Sequence, residues 1–161
     1  MSRSSEDWAI VLAAICTLLI GGALILEHAF AFAPCPLCLM QRVWVIVVGA
    51  FALIGLSHNP RLGIYPLLTI VSATAGGYFS IKQLWLQSLP VDQVPACGPG
   101  LEYLIENLPL GDVLSAMTNG TGDCAEVVFA PLGIALPGWA LIGFVVLIGV
   151  AGLQWRRSLR G

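Results

Sequence analysis

Four cysteines set the chemistry this chain could perform. Cys35 and Cys38 form a tight pair across Pro36 and Leu37, and Cys97 and Cys124 form a wide one. Each pair lies between hydrophobic stretches long enough to span a membrane. Two dithiols facing one oxidising compartment can hand an electron pair from one to the other by thiol–disulfide exchange, and then to an acceptor in the membrane. The setting of the close pair favours that use. Pro36 suits the first turn of a helix, and the unpaired backbone N–H groups at such a start stabilise negative charge. A thiolate there is a better leaving group and a more abundant nucleophile at neutral pH. Arg42 lies one turn beyond Cys38 on the same helix face, where its cation can neutralise a thiolate or an oxyanion forming on a bound acceptor. The alternative for Arg42 is an interfacial anchor that snorkels to the headgroups. A charge inside a span is costly, and Arg42 sits against the positive-inside preference, so the sequence favours a functional role.

The wide pair encloses a loop broken by Gly98-Pro99-Gly100 and again by Gly120-Thr121-Gly122-Asp123, so a disulfide between Cys97 and Cys124 is easy to form and free to swing. A structural staple is the default for such a bridge in an oxidising compartment. The second dithiol on the same side shifts the reading toward exchange. Zinc held by all four thiolates is disfavoured, because such sites usually join two close pairs, and no metal is expected. A thioredoxin-like domain lacks its βαβ context here. Cys16 sits among aliphatic residues in mid-span and reads as a small buried hydrophobe. His28 and His58 fall on opposite sides of the membrane and read as ordinary loop residues.

The elements that must position these cysteines follow from composition. The chain has 161 residues, of which 58% are hydrophobic and only 10% charged, with a mean hydropathy of +0.90. No water-soluble domain hides that much apolar surface. Uncharged stretches over residues 8–26, 62–81 and 137–155 are close to the roughly 20 residues that cross about 30 Å of hydrocarbon. Residues 43–56 alone fall short at about 1.5 Å per residue, so the remaining span extends back over 37–56 and takes Cys38 and Arg42 into its first turns.

Arg3, Arg61, Arg156, Arg157 and Arg160 flank one side of such a four-span layout, and Arg42 and Lys82 the other, which puts both termini in the cytoplasm. The expected order is span 8–26, a first external loop 27–36, span 37–56, a cytoplasmic turn 57–61, span 62–81, a second external loop 82–136, span 137–155 and a cytoplasmic tail 156–161, all in one membrane domain. A cleaved signal peptide ending at Ala31-Phe32-Ala33 is disfavoured, since the uncharged segment is too long and Glu27 and His28 separate it from that site. Short connections imply antiparallel neighbours, hence an all-α four-helix bundle. Gly21, Gly22, Gly49, Gly76, Gly77 and Gly143 would let the helices approach closely. In the long loop, Leu101, Leu104, Ile105 and Leu108 recur at helical spacing opposite Glu102 and Glu106, which suits a short helix on the membrane surface or on the end of the bundle.

Several of these residues occur together in a known family. Cys35-Pro36-Leu37-Cys38-Leu39-Met40-Gln41-Arg42, then Trp85-Leu86-Gln87 with Cys97-Gly98-Pro99-Gly100 beyond, and Gly122-Asp123-Cys124-Ala125-Glu126, with four spans in the same order, resemble DsbB, the disulfide bond formation protein B family of Gram-negative bacteria. The match covers nearly the whole chain. The DsbA–DsbB–quinone relay keeps the bacterial periplasm oxidising, so the resemblance implies an inner-membrane enzyme with ubiquinone or menaquinone as acceptor and a DsbA-like thiol oxidase as donor. DsbA itself stands at about −120 mV, and only a more oxidising acceptor can recharge it. Carried over by position, Cys97 takes the attack of the DsbA thiolate, Cys124 passes electrons to Cys35, and Cys38 reduces the quinone beside Arg42. The redox-active disulfides are then Cys35–Cys38 and Cys97–Cys124. The partners expected are the DsbA-like oxidase, membrane quinone and the lipid bilayer, with no nucleic acid.

The chain departs from some members of that family at Gln41, where a Glu is often found, and at Ser88, where some carry a His. Lys82 is a candidate replacement cation. The rival from another class is a membrane binding protein or channel whose disulfides merely hold its loop; charges inside the spans would favour it, and Arg42 stands alone there. A vitamin K epoxide reductase-like protein fits less well in cysteine order.

Overall fold

The computed structural model describes residues 3–31, 33–58, 63–97, 103, 106, 107 and 109–159. Helix α1 spans Arg3–Phe30, α2 Pro36–His58 and α3 Ile64–Gln87. A short helix α4, Leu110–Asn119, follows in the long loop, and α5 spans Leu136–Ser158. Single 3-10 turns at Val91–Gln93, Gly122–Ala125 and Pro131–Gly133 lie among the described residues of that loop. The described residues contain no strand.

α1, α2, α3 and α5 are each long and apolar enough to cross a membrane. They form an antiparallel ring in which α1 packs on α2 and α5, and α3 packs on the same two. Their outer surface is aliphatic and aromatic, with Leu18, Ile25, Val71, Tyr78 and Val145 exposed, whereas Thr69, Ser72, Ser80 and Gln83 are buried. That inversion suits lipid as the solvent: apolar side chains face it, and small or hydrogen-bonding ones serve helix contact. The chain is a multi-pass membrane protein.

Leu12, Val48, Phe144 and Leu147 centre the core, and Cys16 lies buried among them as expected. A Cβ at Gly76 would stand 2.3 Å from the Phe144 ring, so glycine is what lets α3 and α5 meet there. Gly49 against Cys16 and Gly143 against Leu19 are close approaches of the same kind, and Gly77 is in ordinary contact with Leu141. Gly21 and Gly22 differ from expectation, since a Cβ at either meets nothing within 4 Å. Their part of α1 leaves open space where a contact was foreseen.

Helix ends explain further differences. α1 continues to Phe30 and stops where Ala31 turns left-handed at φ 54°, so Glu27 and His28 are helical rather than loop residues. His28 Nδ1 lies 2.9 Å from the Leu24 carbonyl one turn back. His58 closes α2, its Nδ1 lying 2.6 Å from the Tyr65 hydroxyl. α3 carries Lys82, Gln83 and Gln87 within the helix. Lys82 Nζ donates to the Thr118 carbonyl at 2.8 Å in the last turn of α4, where a cation complements the helix dipole. Ser88 caps α3 by donating to the Trp85 carbonyl at 2.7 Å. The expected loop helix over Leu101, Leu104, Ile105 and Leu108, and the Asn59-Pro60-Arg61 turn, lie outside the described residues.

Candidate functional site: a dithiol at the mouth of α2

Cys35 immediately precedes α2 and acts as its cap. Its carbonyl accepts the Leu39 N–H at 3.1 Å, and its sulfur accepts the Cys38 N–H at 3.4 Å, as an N-cap oxygen would. Pro36 then enters the helix without a missing donor. One helical turn brings the Cys35 and Cys38 sulfurs within 2.7 Å of each other.

The long loop folds down onto this end of the bundle. Cys124 is wholly buried with Leu37 and Leu86, and Cys35 packs against that cluster. Two glycines permit the descent. Gly120 has φ 81°, and a Cβ there would also meet Leu37 at 2.8 Å and Leu86 at 2.9 Å. Gly122 donates its N–H to the Ala96 carbonyl at 3.2 Å. A Cβ on Gly122 would lie 2.5 Å from the Pro95 carbonyl and 2.9 Å from the Cys97 nitrogen, both backbone atoms that cannot swing aside. Cys97 is therefore held beside the turn that carries Cys124, yet remains exposed.

The three cysteines near the loop differ in how readily they ionise. A hydrogen bond from Cys35 lowers Cys124 to about 6, with backbone N–H groups of Leu37 and Thr121 assisting against the cost of burial. Cys35 is correspondingly held protonated by its hydrogen bonds to Cys124 and Cys38 and by burial. Cys97 is raised, first by its hydrogen bond to Asp123 and then by that carboxylate's charge. Of the two loop sulfurs, Cys124 is thus the more readily ionised and Cys97 the exposed one.

Arg42 forms an ion pair with Glu27 of α1 and donates to the Ala23 carbonyl at 3.4 Å. A cation inside a span calls for such a partner, and that requirement was the signal by which Glu27 could have been found. Beside them lies a cavity of about 830 Å³ between α1, α2 and α5, lined by Cys38, Arg42, Leu18, Val45, Trp139 and Phe144 among others. Cys35, Cys38 and Arg42 thus border one space, with Cys124 against Cys35 and Cys97 above it in the loop. Among the described residues no cluster could hold a metal ion.

Sequence reasoning also missed Gln83. It is buried in α3, and its Nε2 lies 3.2 Å from both the Cys35 and the Cys38 sulfur. The run Thr69, Ser72, Gly76, Ser80, Gln83 repeats at helical spacing along the buried face of α3 and points to it.

The chain matches the family described as disulfide bond formation protein DsbB over residues 5–154. It is 48% identical over 142 residues to disulfide bond formation protein B of Marinobacter nauticus, covering 86% of this chain and 84% of the relative. The protein of the same description from Saccharophagus degradans is 43% identical over 158 residues, covering 96% and 95%. Disulfide bond formation protein B 1 of Pseudomonas aeruginosa is 39% identical over 145 residues, covering 88% and 89%. With the four-helix membrane bundle and the paired cysteines at its mouth, these likenesses make the chain a member of the DsbB family of disulfide-forming membrane oxidoreductases.

Proposed function

We propose that the chain reoxidises a periplasmic DsbA-type dithiol oxidase and passes the electrons to ubiquinone or menaquinone, so sustaining disulfide formation in secreted proteins. The observation that carries this reading is the contact of Cys124 with Cys35, which joins the loop pair to the helix-mouth pair. A DsbA-type thiolate attacks the Cys97 sulfur of a Cys97–Cys124 disulfide. The S–S bond breaks, and its electron pair goes to Cys124, whose lowered pKa makes it the better leaving group. The partner's second thiol resolves the mixed disulfide and leaves Cys97 as a thiol. Cys124 then attacks Cys35 of the Cys35–Cys38 disulfide, and the electron pair of that bond goes to Cys38. Cys38 now carries the electrons at the edge of the cavity.

That cavity suits a quinone: its walls are mainly apolar and aromatic, and Arg42 supplies a donor for an oxygen. A quinone held there would supply the two-electron sink, taking up two protons with the pair and leaving as the quinol. Cys97, deprotonated, attacks Cys124 of the Cys124–Cys35 bond, which re-forms Cys97–Cys124 and releases Cys35 as a thiolate; Cys35 and Cys38 then close into their disulfide as their electron pair passes to the acceptor. By the same reading both pairs face the periplasm, both termini lie in the cytoplasm and the bundle sits in the inner membrane. Purified protein mixed with a reduced DsbA-type oxidase and ubiquinone should consume the quinone, followed by its absorbance, in step with oxidation of the donor. No consumption with either ubiquinone or menaquinone overturns the proposal.

A further inference from the structure

When Cys124 attacks Cys35, the Cys124–Cys35 bond forms, the Cys35–Cys38 bond breaks, and the released pair leaves a negative charge on Cys38. An isolated charge at this depth is costly unless donors meet it. Arg42 is the cation expected to do so, yet its guanidinium is engaged with Glu27 and the Ala23 carbonyl. The side-chain amide that reaches both sulfurs is that of Gln83, 3.2 Å from each.

A hydrogen bond from α2 orients that amide. Gln41 is buried in α2 and donates its Nε2 to Gln83 Oε1 at 2.7 Å. The oxygen accepts from Gln41 and, at 3.5 Å, from Cys38 while that sulfur is a thiol, whereas the nitrogen stands 3.2 Å from both sulfurs and can donate to a Cys38 thiolate. We infer that Gln83 is a catalytic residue of the relay, whose amide holds the charge that arises on Cys38 when the Cys35–Cys38 bond opens, and that Gln41 is a positioning residue that aims it. This rests on the electron path proposed above. It also gives Gln41 a use of its own. A glutamate there could donate to Gln83 only while protonated, whereas glutamine donates at any pH. A neutral amide further supplies N–H donors without the desolvation that a second buried cation would incur.

The test uses the full chain in detergent with Cys38 as its sole cysteine, the other four being replaced by Ser. Thiolate absorbance in the ultraviolet and the rate of alkylation by iodoacetamide are read at one neutral pH. Gln83→Met keeps the length but removes the donors, so alkylation should slow roughly tenfold or more and the thiolate signal should fall, as expected for loss of a hydrogen bond to a charged group. Gln41→Met should slow it less. The double variant should be no slower than Gln83→Met alone, because Gln41 acts only through Gln83. Gln83→Glu, similar in shape but bearing a carboxylate, should not restore the rate. Unchanged thiolate signal and alkylation in Gln83→Met, or equal recovery in Gln83→Glu, overturn the assignment. These readouts need neither quinone nor a DsbA-type partner. They can therefore fail while the relay stands, and quinone consumption can fail while they succeed.

Discussion

The two ends of the proposed relay are built in opposite ways. Cys35 and Cys38 are set into the bundle, their sulfurs fixed by the start of α2 and by a buried amide from α3. Cys97 lies exposed on a loop held by the Gly122 N–H to the Ala96 carbonyl and by its own hydrogen bond to the Asp123 side chain. A sulfur that must meet a folded partner protein needs exposure. A sulfur that must hold charge beside a membrane cavity needs fixed donors and exclusion of water. Cys124 joins them: it belongs to the loop by sequence and to the core by burial.

The strongest way to break this contrast is to remove one sulfur at a time. Replacing any of Cys35, Cys38, Cys97 or Cys124 with Ser should abolish steady-state turnover of a DsbA-type donor, since each holds one position in a serial exchange. The halves should nonetheless separate. A reduced Cys97→Ser protein given quinone should lose its free thiols at Cys35 and Cys38, scored by alkylation, and persistence of both would unite what is here divided.

Next in size is the cation. Arg42→Met should weaken quinone binding roughly tenfold or more, as about 1.5 to 3 kcal/mol is lost with a charged hydrogen bond. It should also lower the thermal midpoint, because Glu27 is left unpaired inside a span. Adding Glu27→Gln should recover the stability and leave the binding defect. Recovery of binding as well would mean that Arg42 serves only its ion pair.

Gly122→Ala probes the loop end alone. Its Cβ would press on the Pro95 and Cys97 backbone, at a cost of about 1 to 3 kcal/mol typical of overpacking. Transfer from the donor protein should slow, while quinone oxidation of Cys35 and Cys38 keeps its rate. Equal slowing of both reactions would show that the loop and the helix mouth are one rigid unit.

Acidity sharpens the same comparison. In the reduced protein the Cys124 thiolate signal should be present above about pH 6 and disappear as pH falls through that value, whereas Cys97 should ionise only above the ordinary thiol range. Because the hydrogen bond from Cys35 is the chief cause, Cys35→Ala should move the Cys124 midpoint upward. The smallest effect belongs to Cys16→Ser, deep in the core and away from both pairs. Its turnover should match the parent protein, and an inactive Cys16→Ser would place a fifth sulfur in the path.

What the sequence determined by itself is the part that depends on local order and on the solvent. Four apolar segments must become helices in lipid, because only a helix satisfies its own backbone there. A Cys-Pro start to one of them must set a sulfur at a helix N-terminus, and the relation of Cys38 to Arg42 is one turn of that helix. The resemblance of the cysteine motifs to the DsbB family was legible for the same reason: the spacing is local. Contacts between distant residues were decided by tertiary structure. Arg42 faces Glu27 because α1 runs on past the expected end of its apolar run. Gln83 reaches Cys35 and Cys38 because α3 continues beyond Lys82 and packs on α2. Gly76 admits Phe144 where Gly21 and Gly22 admit nothing, a distinction that composition cannot make. The approach of Cys124 to Cys35 depends on Gly120 and Gly122 folding the loop back onto Leu37 and Leu86. Spacing along a chain fixes which residues share a helix face, but which faces meet is set by how close the backbones can come, and that is a property of the packed bundle alone.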